Sequence, residues 1–88
     1  MYVIIAYDVS VERVNKVKGY LRTQLTWVQN SLFEGELSES RDFEVRRTLK
    51  RLINPETDTI TFYSFPSKSS YTREDFGVKK GDPRDRIL

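Results

Sequence analysis

The stretch YVIIAYD, Tyr2–Asp8, decides the fold. Tyr2, Ile4 and Ala6 alternate with Val3, Ile5 and Tyr7, so both faces of an extended segment are apolar here. That pattern marks a strand covered on both sides. The run ends on Asp8, a lone carboxylate at the strand tip. Two roles suit it: capping the element that follows, or holding a metal ion where a phosphate sits.

Downstream, Val14, Val17, Leu21 and Leu25 recur at helical spacing, which predicts a helix over 11–25 with Ser10 as its N-cap. Arg13 and Lys16 flank one side of that apolar stripe, and Lys18 and Arg22 flank the other. TWVQNSLFEGELS is extended but too long for one plain strand, so a break near Asn30–Ser31 or Gly35 is expected to make two short segments. A second helix is predicted over 40–53, with Val45, Leu49, Leu52 and Ile53 inward and Arg46, Arg47, Lys50 and Arg51 opposite. NPETD ends it, because Pro55 disfavours a helical Asn54. TITFYSF, Thr59–Phe65, is the last core strand.

The expected fold class is therefore α+β, a ferredoxin-like β-α-β-β-α-β core over 1–65. Residues 66–88 read as a linker and an extra C-terminal strand around Phe76 and Val78. A doubly apolar first strand needs a cover on its second face. A second copy of the chain is the economical one, giving a homodimer in which the C-terminal strand pairs with the partner's sheet edge.

Composition narrows the chemistry. At 88 residues there is one small domain, a size that buries only about 60% of its unfolded surface. With no Cys and no His, thiol catalysis, imidazole bases and the common zinc sites are excluded. Carboxylate oxygens remain, and they favour hard cations: Mg2+, Mn2+ or Ca2+. Fifteen Lys and Arg stand against 13 Asp and Glu. Their clustering at 11–25 and 41–51 permits a polyanion partner. No apolar run approaches the roughly 20 residues of a membrane span, and the N-terminus lacks a signal-peptide pattern. The expectation is a cytoplasmic protein without a membrane partner.

Three features together resemble the CRISPR-associated protein two family, the small partner of the CRISPR integrase. They are YVIIAYDV, the more specific VQNSLFEGEL, and TDTITFYSF. The resemblance implies a ferredoxin-like homodimer in CRISPR adaptation (spacer acquisition), binding double-stranded DNA together with the integrase protein. Some members of that family are described as metal-dependent endonucleases acting on RNA or DNA, so single-stranded RNA is a second substrate class. By the same resemblance Asp8 is the catalytic and metal-holding residue, one from each chain near a two-fold axis. Ser31 and Phe33, with Tyr7, support it. The nucleic-acid-binding residues are expected to be Arg13, Lys16, Lys18 and Arg22. One departure is Trp27, where many relatives carry a basic residue before VQNS. Two other readings compete. One is a ribonuclease toxin of the virulence-associated D type. The other is a non-catalytic ferredoxin-like RNA-binding module, whose glycine-rich aromatic strand signature is absent here.

Overall fold

Tyr2–Asp8 forms β1 and lies inside the sheet, where a strand apolar on both faces belongs. The computed structural model describes residues 1–74 and 76. After β1 come α1 (Val11–Gln24), β2 (Thr26–Gln29), β3 (Leu32–Glu36), α2 (Glu39–Leu52) and β4 (Thr59–Phe65). A short 3-10 turn follows at Lys68–Ser70. The strands make one antiparallel sheet in the order β2-β3-β1-β4. This is the expected ferredoxin-like arrangement.

Register separates the two faces. Val3 pairs with Gly35, and Ile5 with Phe33 and Phe62. Val3, Ile5, Tyr7 and Phe33 join Val17 and Leu21 of α1, Leu25, and Val45 and Leu49 of α2 in one core cluster. Val3, Ile5, Phe33, Val17, Leu21 and Val45 are fully buried. Each such side chain contributes about 1.5–3 kcal/mol relative to exposure. Gly35 lets α1 end close against the sheet, since a Cβ there would lie 2.9 Å from Leu25 Cδ2.

The break expected in the long extended segment is a reverse turn. Asn30 adopts φ 43°, a left-handed conformation that Asn tolerates better than most residues. The Trp27 indole N–H donates to the Asn30 carbonyl at 2.9 Å. Trp27 therefore pins the hairpin.

α2 begins at Glu39, not Ser40, because the Ser38 side chain is the cap and accepts from Arg41 N–H at 3.1 Å. Arg46 departs from the amphipathic reading. Its guanidinium lies 4.0 Å from the centre of the Phe62 ring, and its Nε donates to Asp42 at 2.9 Å. A long side chain on the flank of the stripe bends back over apolar surface, which a helical wheel does not display.

The second sheet face carries Tyr2, Ile4 and Ala6, flanked by Leu32 and Glu34 on β3 and by Tyr63 and Phe65 on β4. One end of it is covered by the chain itself. Tyr71 stacks on Phe65 with centroids 4.7 Å apart and lies 5.7 Å from Tyr2. Its hydroxyl donates to Glu34 at 2.9 Å, and Arg73 donates to the same carboxylate at 2.6 Å. The segment expected to form a C-terminal strand lies largely outside the described residues, Val78 among them; Phe76, which is described, is 90% exposed and in no strand.

Candidate functional site

Asp8 ends β1 opposite Thr59 of β4, while Tyr7 N–H donates to the Ser31 carbonyl in the β2–β3 turn at 3.1 Å. These two pairings bring the strand tip, the hairpin turn and α1 together. Between them is an open cleft of about 250 Å³, lined by Tyr7, Asp8, Val9, Val14, Lys18, Asn30 and Ser31. Of the residues expected from the sequence, Asp8, Tyr7, Ser31 and Lys18 meet there.

The Asp8 carboxylate is exposed and makes no hydrogen bond or ion pair among the described residues. An anion with both oxygens free is suited to an incoming cation or donor. Its chemistry fits a hard divalent ion. Its number does not suffice: no group of three or more His, Cys, Asp or Glu side chains gathers among the described residues. Among the described residues that line the cleft, Asp8 is the one carboxylate.

Tyr7 forms the floor of the cleft and is 7% exposed. Burial raises its pKa, against a smaller lowering by the positive charge of Arg22. The phenol therefore stays protonated at neutral pH and keeps a hydroxyl proton to donate. Phe33 lies beneath it, fully buried, with ring centroids 6.2 Å apart and planes 29° apart. Its place is in the core rather than in the cleft. Asn30, which the sequence reading used only as a break point, contributes to the lining through its left-handed turn.

The basic residues of α1 divide. Lys18 reaches the cleft, and Arg22, one turn on, is exposed within electrostatic reach of Tyr7. Lys16 is exposed and does not line the cleft. Arg13 is committed elsewhere. Its Nε donates to Asp58 Oδ2 at 2.7 Å and its Nη2 to Oδ1 at 3.2 Å.

Sequence reasoning missed Asp58. Its side chain is fully removed from solvent and also accepts from Ser10 N–H at 3.1 Å and Asn54 N–H at 2.9 Å. The Arg13 guanidinium, helped by the Asn54 amide, holds its carboxyl well below the usual carboxylate range. Ser10 occupies the N-cap position of α1, as expected, but its side chain makes no capping bond. It accepts from Arg13 instead, and the carboxylate serving the helix start is Asp58. The capping role considered for Asp8 is thereby filled by another residue.

The family model described as CRISPR associated protein Cas2 matches residues 1–73. The protein named CRISPR-associated endoribonuclease Cas2 2 from Archaeoglobus fulgidus is 53% identical over all of this chain and 96% of its own length. CRISPR-associated endoribonuclease Cas2 from Methanothermobacter thermautotrophicus is 50% identical, also over 100% of this chain and 96% of its own. A solved structure described as the crystal structure of cas2 superposes with a TM-score of 0.85 at 45% identity, covering 100% of this chain and 98% of that one.

Proposed function

The chain belongs to the CRISPR associated protein Cas2 family, and from that premise we propose that it acts as a homodimer in CRISPR spacer acquisition. In this reading it binds duplex DNA beside the integrase and carries a metal-dependent endonuclease site made by Asp8 of both copies. The observation that carries the reading is the Asp8 carboxylate, exposed and without a partner among the described residues, at a cleft that Lys18 also lines. A carboxylate kept for structure would have local partners, as Asp58 does. The endoribonuclease names of the relatives support RNA as a substrate class.

The paired Asp8 carboxylates would hold Mg2+, or Mn2+, which would supply a more acidic water and positive charge for a scissile phosphate. Lys18 binds a phosphate oxygen as a point charge on a flexible stem. Ser31 and Asn30 orient the strand's polar atoms from the turn. Tyr7 donates from a protonated hydroxyl, and Val9 and Val14 exclude water along one wall. Lys18 and Arg22 extend the positive surface for backbone contact, which is independent of base sequence and weakened by salt.

The test compares wild type with Asp8→Ala on labelled duplex DNA and on single-stranded RNA, each with magnesium and with chelator. The proposal expects binding by both proteins and cleavage only by wild type with magnesium. Cleavage that persists in Asp8→Ala removes Asp8 from the chemistry. Equal binding with no cleavage by either leaves the DNA-binding scaffold alone.

A further inference from the structure

We infer that Asp58 is a positioning residue for Asp8, acting through the backbone of the β1–α1 turn. The inference rests on the reading of Asp8 as a metal-holding carboxylate. Because that carboxylate makes no bond of its own among the described residues, its place there is set by the backbone that carries it. Val9 alone separates Asp8 from Ser10, and the Ser10 N–H is held by Asp58 Oδ1 at 3.1 Å. On the other side, Asp58 directly precedes Thr59, the β4 residue paired with Asp8. One buried carboxylate thus fixes both chain segments that flank the strand tip.

Asp58 is itself over-determined. The loop 54–58 closes on it through Asp58 N–H to Asn54 O at 2.8 Å and Asn54 N–H to Asp58 Oδ2 at 2.9 Å. Arg13 adds a forked pair of bonds, and its Nη2 also reaches Ser10 Oγ and Thr57 Oγ1. The end of α2, the start of β4 and the start of α1 therefore move as one body. Two-fold symmetry makes this matter more than in a single-chain site. A shift of Asp8 in one copy is repeated in the other, so the distance between carboxylates across the axis changes by up to twice the shift.

The experiment uses the full chain as Asp58→Asn, and as Asp58→Asn with Arg13→Gln, which removes both charges and leaves no unpaired cation should the single variant fail to fold. Three quantities are read: Mn2+ affinity by calorimetry, duplex-DNA affinity, and amide hydrogen exchange at Asp8–Ser10. Wild type and Asp8→Asn are run beside them. The expected result is faster exchange at Ser10, Mn2+ affinity weakened about 10-fold as for other supporting partners of metal ligands, and DNA affinity changed less than about 2-fold. A folded variant with unchanged exchange overturns the brace. Faster exchange with unchanged Mn2+ affinity overturns the link to Asp8. Failure of the underlying reading looks different: wild type and Asp8→Asn then bind Mn2+ alike or not at all, and the link to metal binding falls with it.

Discussion

Arg13 and Asp58, far apart in sequence, form a two-pronged ion pair whose carboxylate is fully removed from solvent. The folded state lowers the pKa of Asp58, chiefly through the Arg13 guanidinium. A depressed carboxylate contributes stability that is fully present above its unfolded pKa, about 3.9, and is lost as pH falls toward the folded value. Thermal melts between pH 7 and pH 2.5 should therefore show wild-type stability falling below about pH 4. Asp58→Asn should melt lower at neutral pH and show a flatter decline over that acid window. Parallel declines would mean that other carboxylates carry the acid sensitivity.

The hairpin turn depends on Asn30 at φ 43°. Asn30→Ala should destabilise the protein by about 1 kcal/mol, the lower end of the left-handed penalty for an ordinary side chain. Asn30→Gly should melt close to wild type, since glycine adopts this conformation freely. Equal losses in both variants would assign the effect to the Asn30 side chain rather than to its backbone.

Phe33 sits under Tyr7 in the core, so its substitution should act on stability before activity. Phe33→Ala is expected to cost about 3–5 kcal/mol in denaturant unfolding. Phe33→Leu should lose much less and keep any nuclease activity to within a few-fold. A folded Phe33→Leu protein with abolished cleavage would place Phe33 in contact with substrate.

Lys18 and Arg22 lie on the cleft side of α1, whereas Arg13 is held by Asp58. Lys18→Gln should weaken duplex binding uniformly across sequences and reduce the slope of log affinity against log salt by about 1 for each phosphate no longer neutralised. Arg22→Gln should act in the same direction. If Lys16→Gln has the larger effect, the DNA surface lies on the opposite flank of the helix.

Most of the fold was legible because its determinants are local and periodic. The double apolar alternation of Tyr2–Tyr7 placed β1 inside the sheet, and Val17, Leu21, Val45 and Leu49 marked the buried helix faces. The cleft residues Tyr7, Asp8 and Ser31 were legible through motifs, and Lys18 through its flank of the helix. Asp58 was not, because its partners Ser10 and Arg13 lie 48 and 45 residues away, and no periodicity reports such a pairing. The Tyr71–Glu34 contact is hidden for the same reason, at a separation of 37. Arg46 was misplaced because helical spacing gives the direction of a Cα–Cβ bond and not the path of a long flexible stem.

The central claim is that two copies of Asp8 make one metal site. Calorimetric titration of Mn2+ into the purified wild-type protein, with Asp8→Asn alongside, tests it most directly. The account predicts one ion per two chains in wild type and no binding above background in Asp8→Asn. One ion per chain, or binding that survives in Asp8→Asn, would contradict it.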